Sequence, residues 1–380
     1  MLKKLRFGSC VMRWRFLSDR KVGLITPKFC HFLIATIMEY VTLGRSGLKV
    51  SKVILGCMSF GSKDWMKWVL EEDEALEILH HAYQSGINTW DTADVYSDGK
   101  SEEIVGKALV KYKIPRNRVV IMTKCYFGVK DEPAKNEDPN NLLHGMMEAP
   151  VNGMGLSRKH IFDAVEASVK RLGTYIDVLQ IHRLDKETPK EEIMRALNDV
   201  VEKGWVRYIG ASSMAAWEFQ QLQNIADKHG WHKFINMQNL YNLLYREQER
   251  EMIPYCRDTG VGLTPWYSLA AGLLARPWDD KSTERIQTDP YISVVMGSTE
   301  NNGDKKIVDR VQELAKKKGV SMAQVALAWS LSKKGITPIL GLNKKERIDE
   351  AVAALKVSLT DEEVAYLEEP YSPKPIVEYQ

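Results

Sequence analysis

The chain has 380 residues, 44% hydrophobic and 27% charged, enough to bury a large core in one barrel-sized domain or two smaller ones. A net charge of only +3 gives no electrostatic case for nucleic acid or an acidic membrane surface as a partner. Five scattered cysteines (Cys10, Cys30, Cys57, Cys125 and Cys256) form no CxxC pair, which argues against a metal cage or disulfide framework and for a reducing, cytoplasmic setting, and no apolar run is long enough to span a membrane.

Residues 1–37 stand apart. They carry Lys3, Lys4, Arg6, Arg13, Arg15, Arg20, Lys21 and Lys28 against the single acid Asp19. The segment reads as a disordered basic extension, or as sequence upstream of a true start at Met38, with a mitochondrial presequence as the alternative. The folded domain is expected over 38–380.

From Tyr40 the pattern becomes regular. Gly44 to Gly47 reads as the turn of a hairpin between Tyr40–Leu43 and Leu48–Ser51. Eight short apolar strands are then predicted, at 53–56, 87–91, 119–123, 176–181, 206–211, 234–237, 261–264 and 337–340. Each is followed by a helical pattern, with Asp73, Ser157 and Thr360 as caps and Gly86 and Gly204 as stops. Strand–helix alternation means a parallel sheet, and eight units without a composition break predict a closed (β/α)8 barrel preceded by a hairpin and followed by an extra C-terminal helix. An open doubly wound sheet is disfavoured because no GxGxxG follows a strand. Two aperiodic stretches, 126–157 and 275–303, are long enough to be functional loops.

In such a barrel the C-terminal strand ends meet at one rim. Asp91, Tyr96, Lys124 and His182 all fall at such ends or just beyond. A lysine beside a tyrosine lowers the phenol's pKa, an aspartate holds the lysine charged, and Tyr96 would become a proton donor near neutral pH. His182 would orient a carbonyl. Each residue alone has an ordinary alternative: packing for the tyrosine, a turn cap for the aspartate, solvation for the lysine, a structural role for the histidine. Four at successive strand ends is harder to dismiss. Trp90 is expected to be barrel packing, and Asp94 a turn or rim residue. Ser212, Ser213 and Gln238 at later strand ends suit a carboxamide, and the Trp266 indole suits stacking on a ring. Gly341 to Arg347 opens a helix with Lys344 and Arg347 at its start, a phosphate-binding pattern whose alternative is a solvated charged helix end.

These residues lie in Leu43-Gly44-Arg45-Ser46-Gly47-Leu48-Lys49-Val50-Ser51, Gly86-Ile87-Asn88-Thr89-Trp90-Asp91-Thr92-Ala93-Asp94-Val95-Tyr96, Gln180-Ile181-His182-Arg183, Gly204 to Ser213, Met237 to Asn242, Ser321 to Trp329 and Pro338-Ile339-Leu340-Gly341. With them the chain resembles the aldo-keto reductases from about Met38 to Pro375, in wording most similar to the fungal aryl-alcohol dehydrogenase-like branch. The resemblance implies NADPH/NADP as cofactor and a small-molecule carbonyl as substrate. It implies Asp91, Tyr96, Lys124 and His182 as a catalytic tetrad, with Tyr96 as general acid. Ser212, Ser213 and Gln238 match carboxamide contacts, Trp266 the ring-stacking position, and Tyr267, Ser268 and Leu269 the loop around the pyrophosphate. Gly341, Lys344 and Arg347 match the phosphate end, and Glu350 an adenine contact. The expected assembly is a monomer or weak homo-oligomer.

Three departures stand out. Tyr267 and Ser268 replace a serine and a proline, and Ala271 an arginine, which puts cofactor affinity in question. The turn at Leu172–Asp177 is one residue short. Ala351 replaces an asparagine. Two alternatives remain: a non-catalytic, cofactor-binding regulatory barrel like the potassium-channel β-subunits of the same superfamily, and a lyase or isomerase working through Lys124. Substrate choice is expected to lie in the two aperiodic loops and in the tail from Pro370.

Overall fold

The structure, a computed structural model, describes residues 38–130, 149–289, 292 and 302–377. The expected basic extension at 1–37 and the middle of both aperiodic loops lie outside these residues. The hairpin is present, with β1 (Tyr40–Thr42) antiparallel to β2 (Lys49–Ser51). Gly44 turns it at φ 58°, and a Cβ there would lie 2.4 Å from the Gly260 carbonyl. The Arg45 amide donates to that same carbonyl at 2.7 Å. Gly260 immediately precedes a barrel strand, so the hairpin covers the N-terminal ends of the strands and leaves the opposite rim for chemistry.

Eight strands follow: β3 (Ile54–Gly56), β4 (Thr89–Asp91), β5 (Val120–Cys125), β6 (Ile176–Ile181), β7 (Val206–Ser212), β8 (Phe234–Gln238), β9 (Gly262–Leu263) and β10 (Ile339–Leu340). They pair in parallel in the order β10-β3-β4-β5-β6-β7-β8-β9. The ring closes where Leu263 bridges Ile336 and the Thr337 amide donates to the Leu263 carbonyl at 2.8 Å. This is the (β/α)8 barrel the alternation predicted. Strands β4, β5 and β6 are buried at every position, because helices cover one face and the barrel interior the other.

The helices that matter below are α1 (Glu72–Gln84), α2 (Lys100–Lys111), α3 (Arg158–Leu172), α4 (Lys190–Glu202) and α5 (Ala216–His229). They continue with α6 (Met252–Thr259), α7 (Glu284–Thr288), α8 (Asn302–Lys318), α9 (Met322–Ser332), α10 (Lys345–Ala353) and α11 (Asp361–Glu368). Ser157 caps α3 by accepting from the His160 amide, and Thr360 caps α11 in the same way, as expected. Asp73 does not cap α1; Glu71 holds that position and Asp73 lies inside the first turn, where its charge still suits the helix dipole. The short turn after α3 is accommodated by Gly173 at φ 66°. Where α2 meets α3, Gly106 lets the backbones approach so closely that a Cβ would stand 2.5 Å from the Leu172 carbonyl. Among the described residues no helix is long and apolar enough to cross a membrane.

Candidate active site

Strand β4 ends on Asp91, and the loop after it returns as α2. That loop is tied down from outside the barrel. The Ser101 hydroxyl donates to the Cys57 carbonyl at 2.8 Å and pairs with the Thr92 hydroxyl at 2.8 Å. Ser97, Asp98 and Gly99 all take positive φ, turning the chain into α2 directly after Tyr96. Strand β5 carries Lys124 from the neighbouring position in the sheet.

The result is a compact buried cluster. Lys124 Nζ donates to Asp91 Oδ2 at 2.6 Å, to the Thr92 carbonyl at 2.9 Å and to Tyr96 Oη at 3.3 Å. The ion pair is dry, with 0% of the lysine side chain and 3% of the aspartate exposed. Burial alone would pull the Lys124 pKa down, but the Asp91 charge, seconded by Tyr96, reverses this and holds it above its ordinary value. The Tyr96 outcome departs from the sequence argument. Lys124 does pull the phenol's pKa down, but burial and the Asp91 charge push the other way and the net direction is upward. The phenol is therefore firmly protonated at neutral pH.

His182 ends the region after β6, with its ring edge-on to Tyr96 at 5.9 Å and to Phe127 at 5.1 Å. Burial first, then the Lys124 and Arg183 charges, drive its pKa well below the usual value, so the ring is neutral and one nitrogen is a donor. Its Nδ1 is buried without a partner among the described residues.

Asp91 is held from the barrel interior by Gln238, expected only as a carboxamide contact, and by Gln180, which with Asn236 behind it the strand-end argument passed over. Gln180 Nε2 and Gln238 Nε2 each donate to Asp91 Oδ1 at 2.9 Å. Asn236 Nδ2 donates to Gln180 Oε1 at 2.8 Å and to Thr264 Oγ1 at 2.9 Å. Gly210 makes room for this chain, since a Cβ on it would lie 2.0 Å from Asn236 Oδ1. The signal was a polar residue inside an apolar strand run, easily taken for an outward-facing one. Asp94 lies in the turn after β4, one of the two places expected for it. It is fully buried rather than at the rim, and burial followed by the Glu102 charge pushes its carboxyl well above the carboxylate range.

A cavity of about 630 Å³ opens above the cluster. Asp91, Tyr96 and His182 line one end, and Ser212, Gln238, Trp266, Tyr267, Ser268 and Leu269 its flank. Gly341, Lys344, Arg347, Glu350 and Ala351 line it as well. Ser213 and Lys124 stand behind the wall. Ser213 Oγ accepts from the Trp266 indole at 3.3 Å, so it orients the tryptophan. Tyr267 adopts φ 62° and Ala270, Ala271 and Gly272 follow at 48°, 53° and 93°, a tightly wound loop in which Ser268 Oγ donates to the Pro265 carbonyl at 3.1 Å. The Tyr267 ring packs on Trp266 at 5.3 Å and under the Arg285 guanidinium at 5.4 Å. The altered residues thus form a defined loop.

The charge missing at Ala271 is replaced nearby. Arg276, inside the second aperiodic stretch, lines the cavity, and a Cβ on Gly272 would lie 2.5 Å from its Nη2. Burial pulls the Arg276 pKa down, Asp280 opposes, and the neighbouring Arg347 charge adds to the fall. Arg276, Lys344 and Arg347 all line the cavity, and the Arg347 charge reaches Arg276.

The sequence profile of the Aldo/keto reductase family matches residues 52–371. The chain belongs to the aldo/keto reductase family. This aldo/keto reductase is 66% identical over 341 residues to versiconal hemiacetal acetate reductase of Aspergillus parasiticus, covering 89% of this chain and 98% of that one. It is 57% identical over 344 residues to a provisionally named aryl-alcohol dehydrogenase of Schizosaccharomyces pombe, covering 89% and 97%. It is 49% identical over 366 residues to an aldo-keto reductase of Metarhizium robertsii, covering 95% and 98%. It is accordingly an oxidoreductase of a family that reduces carbonyl compounds with NAD(P)H. Among the described residues no cluster of metal-ligating side chains occurs.

Proposed function

We propose that this chain reduces an aromatic or secondary-metabolite aldehyde or ketone to the alcohol, with NADPH as reductant and Tyr96 as general acid. The observation that carries the reading is the buried Asp91–Lys124–Tyr96 chain, closed by hydrogen bonds of 2.6 and 3.3 Å beside a cavity that Arg276, Lys344 and Arg347 also line. When bound, the nicotinamide supplies the hydride to the carbonyl carbon. Ser212 and Gln238 would hold its carboxamide, Trp266 its ring, the Tyr267–Leu269 loop the pyrophosphate, and Arg276, Lys344 and Arg347 the adenosine phosphate.

Tyr96 Oη holds the proton that the carbonyl oxygen takes up as negative charge develops there. A phenol whose pKa is raised by burial is a reluctant acid, and Lys124 supplies the compensation. Its ammonium, fixed by Asp91, stabilises the phenolate left behind. Neutral His182 donates to the same oxygen and directs it toward Tyr96. The relatives' names, an aryl-alcohol dehydrogenase and a reductase of versiconal hemiacetal acetate, favour aryl carbonyls, and the apolar Trp68 and Phe127 in the cavity wall suit flat rings.

The test is NADPH oxidation by the purified protein against a panel of aromatic and aliphatic aldehydes. Turnover of aromatic members is the expected result. A chain that binds NADPH yet reduces no carbonyl would sink the proposal and favour the regulatory barrel.

A further inference from the structure

Behind the turn that carries Tyr96 lies a second charged cluster, outside the tetrad. Glu102, in the first turn of α2, is 0% exposed. It accepts from the Thr123 hydroxyl at 2.5 Å and from Arg171 Nε at 2.7 Å. Arg171, in the last turn of α3, lies against the Tyr96 turn, since a Cβ on Gly99 would stand 2.6 Å from its Cδ. Lys124 is paired with Asp91 in the same way. Two cations thus meet two carboxylates. Asp94 is a third carboxyl, 0% exposed, and neither of its oxygens has a hydrogen-bond partner among the described residues. The Val95 amide is close enough to favour the charged form but does not complete a hydrogen bond. The charges that act on Asp94 are Glu102 from α2, Arg171 from α3 and Lys124 from β5, where the Cys125 thiol is itself kept neutral by burial. A buried carboxylate needs donors to replace its water, so a carboxyl that meets none is one that carries its own proton.

We propose that Asp94 is a positioning residue that works only in its neutral form: the protonated carboxyl seats the turn from Asp91 to Tyr96, and its ionisation unseats Tyr96 and sets the alkaline limit of the reaction. The proposal rests on the carbonyl-reduction reading above. Asp94 anchors the turn through its backbone as well, its amide donating to the Lys124 carbonyl at 3.1 Å. Two residues on, the Tyr96 amide closes onto the Ala93 carbonyl at 3.3 Å. Once ionised, the Asp94 side chain is repelled by Glu102, and Arg171 is already engaged there. The carboxylate must then reach water, and the turn moves with it. Tyr96 Oη meets Lys124 at 3.3 Å, a long contact that a small displacement opens. The same residue works against the fold. Unfolded, it ionises near the ordinary carboxylate value of about 3.9, whereas folded it keeps its proton to higher pH. Folding is therefore weakened as pH rises from that value toward the folded one, and an asparagine, which never ionises, escapes the penalty.

The experiment measures three things on wild type and Asp94→Asn. The first is the pH profile of kcat/KM with an aromatic aldehyde. The alkaline limb is expected to move up by at least about one pH unit in the variant, so that the ratio of variant to wild type climbs about ten-fold from pH 6 to the alkaline end. The second is urea unfolding at pH 5 and pH 8, where the variant should gain on the wild type as pH rises. The third is the infrared C=O stretch of a protonated carboxyl at pH 8, expected in the wild type and missing from the variant. That band is also read on the wild type alone, as its loss with rising pH beside the loss of activity, so a variant that does not fold leaves the test intact. Coincident pH profiles, a variant less stable by the same margin at both pH values, or no carboxyl band in the wild type at pH 8 would each overturn the proposal. If neither protein reduces an aldehyde, the reductase reading fails, and the infrared and unfolding results decide whether Asp94 stands as the neutral anchor of the turn.

Discussion

Replacing Asp91 by asparagine probes the buried cluster at its tightest point. The carboxylate accepts from Lys124 at Oδ2 (2.6 Å) and from Gln180 and Gln238 at Oδ1 (2.9 Å each). The substituted amide keeps the shape but must turn an NH2 toward either the ammonium or the two glutamines, so donors face donors in both orientations. The Lys124 side chain, 0% exposed, loses its counter-charge. Removing one partner of a buried pair costs about 3–5 kcal/mol. Lys124 has an escape: burial, the first influence on its pKa, acts downward, and without Asp91 the amine sheds its proton. That escape lessens the stability loss but removes the cation that would stabilise the Tyr96 phenolate. Urea unfolding of Asp91→Asn should therefore show a loss of about 2–5 kcal/mol, and kcat/KM for aldehyde reduction should fall by about a hundred-fold or more. A variant within about 1 kcal/mol of wild type that reduces aldehydes at the wild-type rate would refute the reasoning.

Other expectations follow from the same geometry. His182 is buried with its pKa far below the ordinary value, so the unfolded chain takes up a proton there that the folded chain refuses; stability present above about pH 6.5 is lost as pH falls, with a slope of at most about 1.4 kcal/mol per unit. His182→Gln should remove that part of the acid limb, read as the difference between urea unfolding of variant and wild type at pH 7 and pH 5. On the proposed assignment of Arg347 to the additional phosphate, Arg347→Leu should raise KM for NADPH by roughly ten-fold or more while changing KM for NADH by less than about three-fold. Gly106→Ala should destabilise by about 1–3 kcal/mol, since its Cβ meets the Leu172 carbonyl at 2.5 Å; an unchanged urea midpoint would mean α2 and α3 can separate freely.

The barrel was legible because strand and helix signals alternate and glycines punctuate them. Asp91, Lys124 and His182 were legible because each closes a short apolar run, and Tyr96 because it follows one by a short loop; a parallel barrel brings such ends to one rim. Three things were not. The sign of the Tyr96 shift depends on how deeply the phenol is buried, and neighbouring residue types reveal the Lys124 charge but not the burial. The amide chain from Asn236 through Gln180 to Asp91 depends on which face of each strand turns inward, which a run buried on both faces does not disclose. Trp68 and Arg276 sit in segments without a period, where only the folded loop shows what they line.

The central claim is that the Tyr96 hydroxyl delivers the proton. Its most direct test is Tyr96→Phe, which deletes one oxygen from a packed ring, assayed for NADPH oxidation with an aromatic aldehyde alongside a fluorescence titration of NADPH binding. The account predicts a fall in kcat of about a hundred- to ten-thousand-fold with NADPH affinity retained. Reduction by Tyr96→Phe at a rate near that of the wild type would contradict it.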